Sequence, residues 1–99
     1  MIKVKADLHT HTISSGHAYS TITEIASAAF EKGIEVVAMT DHGPNIPGGT
    51  HEYHFGNICA VPDSINGVKI LKGVEANILD NGKLDLTDNK LQLLDFVAA

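Results

Sequence analysis

The stretch from Thr21 to Thr40 limits the folds open to this chain more than any other. Thr21 is followed three residues later by Glu24, the pattern of a capping box. Ile22, Ile25, Ala26, Ala29 and Phe30 then recur on one stripe of a helix. Gly33 stands where a glycine ends a helix, so the spacing predicts a helix from about Ile22 to Lys32. Glu35 to Thr40, EVVAMT, reads as a strand buried on both faces. Ile2 to Leu8 reads as an earlier strand, with Val4 and Ala6 on one face and Lys3 and Lys5 on the other. Strand, helix and strand this close together make a βαβ unit with parallel strands and a right-handed crossover. The fold class is α/β.

The remaining segments extend that unit. Thr12 to Ser20 is a polar loop around Gly16, and His42 to Gly49 is a loop marked by Gly43, Pro44, Pro47 and Gly48-Gly49. His51 to Val61 is expected to hold a short helix ended before Pro62, and Val68 to Ile78 a third strand. Asp80-Asn81-Gly82 predicts a small hairpin with Lys83 to Leu86. Leu91 to Leu94 reads as a short helix, and Phe96 to Ala99 as the opening of a fourth strand. Ninety-nine residues make one small domain or a piece of a larger one.

The composition is 43% hydrophobic and 19% charged, which suits a globular chain. No run approaches the ~18 apolar residues of a membrane span. The formal charge is -5, and every basic side chain is a lysine. That excludes a basic nucleic-acid surface and removes the side chain best shaped for phosphate. MIKVKADLH leads straight into the first strand without a signal-peptide pattern, and Cys59 has no partner for an internal disulfide. A reducing, cytoplasmic setting is expected.

Histidine is the over-represented residue. Asp7, His9 and His11 occur as D-x-H-x-H near the end of the first strand, Asp41-His42 at the end of the second, and Glu75 near the end of the third. Residues two apart on an extended backbone point the same way, so His9 and His11 are expected to face one point in space, with Asp7 behind them or nearby. Catalytic groups of parallel α/β sheets collect at the C-terminal edge of the strands, and His17 on the following loop lies on that side. Histidine with carboxylate suits Zn²⁺, Mn²⁺ or Fe²⁺. Such cations would also supply the positive charge that arginine does not.

Other motifs carry less. His51-Glu52-Tyr53-His54 is one residue short of the H-E-x-x-H zinc motif and is expected as a solvated loop or helix start. Cys59, between Ile58 and Ala60, reads as a small core residue. Ser14 and Ser15 have no evident base and orienter for nucleophilic chemistry. Gly48-Gly49 lacks the G-K-[ST] of a phosphate loop.

Four segments together, H-T-H at 9–11, S-G-H-A-Y-S-T at 15–21, T-D-H-G-P at 40–44 and G-V-E-A-N-I at 73–78, resemble the PHP (polymerase and histidinol phosphatase) family, nearest its YcdX-like phosphatases. The resemblance implies a distorted, TIM-like (β/α)7 barrel, of which residues 1–99 form the N-terminal portion. It implies a cytoplasmic hydrolase with up to three metal ions at the C-terminal rim, zinc first, with Mn²⁺ or Fe²⁺ as alternatives. It places His9 and His11 on one metal, Glu75 as the bridge to a second, and His17 and His42 on a third. The implied reaction is hydrolysis of a small phosphate monoester by a metal-activated hydroxide, with Asp7 and Asp41 orienting the ligands. The family's remaining ligands come from later strands, so the rest of the barrel is expected from further sequence. Two other readings stand beside this one: a non-catalytic metal-binding PHP module, and an amidohydrolase-like C–N hydrolase, which shares H-x-H but not T-D-H-G-P.

Overall fold

The computed structural model describes residues 2–99. Its elements are β1 (Ala6–Thr10), α1 (Ile22–Glu31), β2 (Val36–Met39), α2 (Glu52–Asn57), a 3₁₀ turn (Ile58–Ala60), β3 (Ser64–Ile65), β4 (Val68–Glu75), α3 (Asp88–Leu91) and β5 (Phe96–Ala98). β1, β2, β4 and β5 lie side by side in chain order, and each pairs in parallel with the next. Parallel strands that neighbour one another in sequence order form the beginning of a barrel-like wall. β3 pairs antiparallel with the first residues of β4. Among the described residues, no helix is long and apolar enough to cross a membrane.

The α1 expectation holds to within a residue. The Thr21 hydroxyl accepts from the Glu24 backbone N–H, and the Glu24 carboxylate accepts from the Thr21 N–H at 2.9 Å. At the other end Gly33 takes φ 75°. Gly33 N donates to Phe30 O and Ile34 N to Ala29 O, a Schellman ending that uses two otherwise orphaned carbonyls. Ala26 and Ala29 are buried, with Ile22 and Ile25 packed beside them, against Val37, Met39, Val68 and Ile70. Phe30 is 65% exposed, contrary to the stripe. At 100° per residue it falls on the rim of the arc centred on Ala26 and Ala29.

Several boundaries differ from expectation. β1 starts at Ala6 rather than Ile2 and runs on through His9, because its partner β2 begins only at Val36, opposite Ala6. The short helix near the C-terminus is Asp88–Leu91 rather than Leu91–Leu94, started by the Thr87 hydroxyl accepting from Lys90 N. β3 was not expected. It is joined to β4 by Asn66-Gly67, both at positive φ, the two-residue turn that matches strand twist. The Asp80-Asn81-Gly82 turn does form, but its hairpin is a single bridge between Ile78 and Leu84. Cys59 is exposed, not core. In the 3₁₀ turn it is Ile58 that packs inward.

Candidate metal centre

The site begins with an irregularity in β1. Asp7 registers with Val37 and Thr10 with Met39. Val37 and Met39 both belong to the core beneath α1, and residues in register on parallel strands share a face. Asp7 and Thr10 are an odd step apart, so strict alternation would have put them on opposite faces; one extra residue, a bulge, resolves the conflict. Hydroxyls staple it. Thr10 Oγ1 donates to Ala38 O at 2.7 Å, Thr40 Oγ1 donates to Thr10 O at 3.1 Å, and Thr40 N donates to the same carbonyl at 2.8 Å. His9 and His11 flank Thr10 and therefore face away from the helix. Asp7 does not stand behind them: its carboxylate accepts from the His9 backbone N–H at 3.2 Å, within the bulge.

Glu75 reaches the same place from β4. Glu75 N donates to Asp41 O and Gly43 N to Glu75 O, which clips His42 and Glu75 together side by side. Glu75 Oε1 then lies 3.2 Å from His9 Nε2, and Oε2 lies 3.4 Å from His11 Nε2 and 2.9 Å from His42 Nδ1. His17 arrives from the loop after β1, which is held by Ile13 N donating to Ser20 O and Gly16 N donating to Gly48 O. A Cβ at Gly16 would come within 2.9 Å of Gly48 Cα, so the two loops can touch only through glycine. The His17 ring centroid lies 5.1 Å from that of His11 and 4.9 Å from that of His42. The five side chains singled out in the sequence, His9, His11, His17, His42 and Glu75, thus meet at one rim of the sheet.

The cluster passes a chemical test for a divalent cation. His42 Nδ1 and Glu75 Oε2 are buried without a hydrogen-bond partner, although 2.9 Å apart, because they do not meet along a hydrogen-bonding direction. Buried polar atoms crowded together without hydrogen bonds are what a cation reconciles. Donors on one tetrahedral zinc lie about 3.3 Å apart, close to the spacings seen here. Two three-donor groups have all their ligand atoms within 4.8 Å of one another: His9, His11 and Glu75, and His11, His17 and His42. His11 is common to both. Burial first, and then the neighbouring His42 ring, hold its pKa below the ordinary 6.5, against the pull of Glu75. A ring that resists protonation is a better cation ligand.

Beneath the imidazoles is a network that sequence reasoning largely missed. Asp41 is fully buried. Its Oδ1 accepts from Thr12 N at 2.7 Å and from Ser15 Oγ at 2.8 Å, and its Oδ2 accepts from Thr12 Oγ1 at 2.8 Å. Ser15, for which no base and orienter for nucleophilic chemistry were expected, also accepts from His42 N at 3.2 Å and lies 3.5 Å from His11 Nδ1. It is 1% exposed, which rules it out as a nucleophile. His54 was expected on a solvated loop or helix start. The helix does start there, capped by His51, but His54 turns inward. Its Nε2 is buried without a hydrogen-bond partner, 3.7 Å from Asp41 Oδ2, and burial lowers its pKa. No local spacing announces the contacts to Asp41: Thr12 and Ser15 lie 29 and 26 residues from it, and His54 comes from α2.

A curled parallel α/β wall with imidazoles and a carboxylate gathered at its C-terminal rim defines a class, and the chain belongs to it: the PHP domain family matches residues 7–98. Its relatives narrow the class to proteins named as phosphatases. A "Probable phosphatase" of Thermoanaerobacter sp. (strain X514) is 57% identical over 99 residues, and one of Caldanaerobacter subterraneus is 54% identical. One of Proteus mirabilis is 48% identical over 94 residues. The first two matches cover 99% of this chain, and that of Proteus mirabilis 94%. The chain spans about 40% of the length of the curated relatives it matches.

Proposed function

We propose that this chain supplies the first half of the active site of a metal-dependent phosphatase acting on small phosphate monoesters. In this reading residues 1–99 are the N-terminal portion of a single distorted (β/α)7 barrel, and later strands bring the remaining ligands. The observation that carries it is the convergence of His9, His11 and His42 on the two oxygens of Glu75 at 2.9–3.4 Å, with buried atoms left unpartnered.

His9, His11, His17, His42 and Glu75 would hold the cations, zinc first, with Mn²⁺ or Fe²⁺ as alternatives. A divalent cation held there would lower the pKa of a coordinated water toward about 7 and neutralise charge on phosphate oxygens. The side chains divide the remaining work. Glu75 turns one oxygen to His9 and the other to His11 and His42, the disposition a bridging carboxylate needs. The His11 and His42 side chains, 16% and 22% exposed, form the floor. His9 at 56% and the exposed His17 are the solvent-facing members of the cluster, the side from which an anion would approach. The one free thiol, exposed at Cys59, suits a reducing cytoplasmic compartment.

The test is hydrolysis of p-nitrophenyl phosphate by the complete barrel carrying this chain, with Zn²⁺ or Mn²⁺ added or chelated. Turnover that needs the cation and disappears in His9→Ala supports the reading. Stoichiometric bound metal without hydrolysis would make the domain an accessory metal-binding module instead.

A further inference from the structure

We propose that Asp41 and Ser15 are positioning residues that set the tautomer of His11 and so decide which of its nitrogens is offered to a cation. Asp41 is acceptor-only towards its neighbours, taking Thr12 N, Thr12 Oγ1 and Ser15 Oγ at 2.7–2.8 Å. The single hydroxyl hydrogen of Ser15 is therefore committed to Asp41. What Ser15 turns to its other neighbours is lone pairs. One receives the His42 backbone N–H at 3.2 Å. The remaining neighbour is His11 Nδ1 at 3.5 Å. Facing a lone pair, Nδ1 is the nitrogen that carries the ring proton. The lone pair of the neutral ring then resides on Nε2, the atom 3.4 Å from Glu75 Oε2 and in the midst of the cluster.

The arrangement contains the residue types of a Ser–His–Asp triad in a different order. Serine stands between the acid and the imidazole, is closed off from solvent, and relays polarity rather than attacking anything. The same hydroxyl also anchors the backbone of His42, so one buried group holds both central rings. Without Asp41 the Ser15 hydrogen is free to rotate towards His11 Nδ1. That stabilises the opposite tautomer, with the proton on Nε2 and no lone pair aimed into the site. Neither Asp41 nor Ser15 is among the candidate ligands, yet their loss weakens cation binding. Outer partners of ligating histidines are worth about 10–100-fold in affinity.

The inference rests on the metal-site reading above, but its decisive measurement does not need catalysis. Nitrogen-15 shifts of the His11 ring, read in the protein before and after saturation with Zn²⁺, report which nitrogen is protonated and which is ligated. The expected result is a protonated Nδ1 throughout and a shift of Nε2 on adding Zn²⁺. A wild-type His11 with its proton on Nε2 in the metal-free protein overturns the proposal without any variant. Ser15→Ala and Asp41→Ala are expected to move the tautomer towards Nε2–H and to weaken Zn²⁺ binding by about 10–100-fold. Thr12→Ala loosens the same carboxylate but leaves the Ser15 hydrogen bond in place. It is expected to lower the melting temperature while keeping the tautomer. If Thr12→Ala shifts the tautomer as far as Ser15→Ala does, the network is only scaffolding. Failure of the metal-site reading looks different: an Nδ1–H tautomer as expected, with no response of Nε2 to Zn²⁺.

Discussion

His11 is the side chain whose removal should cost most, and the structure says by how much more than its neighbours. It is the donor common to both three-donor groups. His9→Ala leaves His11, His17 and His42; His17→Ala leaves His9, His11 and Glu75. His11→Ala breaks both groups of three and leaves only pairs: His9 with Glu75, His42 with Glu75, and His17 with His42. Structural zinc sites with four protein ligands carry about 10–16 kcal/mol of apparent binding free energy, so one donor is worth roughly 3 kcal/mol. That is on the order of a hundredfold in Kd. His9→Ala and His17→Ala should each weaken Zn²⁺ by less than about tenfold, because an intact set of three remains. His11→Ala should weaken it by about a hundredfold. Titration against a chromophoric chelator measures all three, with far-UV circular dichroism confirming that each variant is folded. His11 belongs to neither apolar cluster, so its truncation should leave the core intact. Equal losses in His9→Ala and His11→Ala would refute the shared-donor reasoning.

Three further outcomes are expected. A Cβ at Gly73 would fall 2.6 Å from the Phe96 carbonyl, so Gly73→Ala must push β5 from β4; overpacking of this kind costs about 1–3 kcal/mol, read by urea denaturation, and a neutral result contradicts the packing described. Ile70, 1% exposed beneath α1, should lose about 2–5 kcal/mol on truncation to alanine in the same assay. Burial depresses the pKa of both His11 and His54 from 6.5, so the folded chain binds fewer protons than the unfolded one just below that value. Stability should therefore fall as pH drops from about 6.5 and level off below the folded values. Asp63, held low by the Lys72 hydrogen bond, and Glu24, held low by Thr21, contribute only at more acid pH. Melting of the metal-free protein across this range gives the slope, which His54→Gln should flatten; a midpoint that rises on acidification would contradict burial of the neutral rings.

What the sequence disclosed and what it withheld follow the range of the forces involved. α1 is legible because its cap, stripe and glycine stop are all local, acting within a turn of helix. The five clustered side chains were legible because parallel strands deliver their C-terminal ends to one rim. The register of β1 was not legible. It is fixed by Thr10 and Thr40, thirty residues apart, whose hydroxyls staple the extra residue. Alternation alone left Asp7 either behind His9 and His11 or nearby; with the bulge it is nearby, accepting from the His9 backbone N–H. Ser15 and His54 were missed because each finds Asp41 only after the chain has folded. β3 is a different case. Asn66-Gly67 is a legible turn, but a strand of two residues is too short to show any alternation.

The added peptide unit near the top of β1 gives one strand two phases. Below it Asp7 keeps step with Val37; above it Thr10 keeps step with Met39, and His9 and His11 turn to the side where Glu75 stands. Changing a letter in this segment alters a contact, whereas changing its count by one swings both rings through half a revolution, away from Glu75. Length, more than spelling, is what this segment cannot vary, and a single-codon deletion there should abolish ion capture while sparing the helix beneath it.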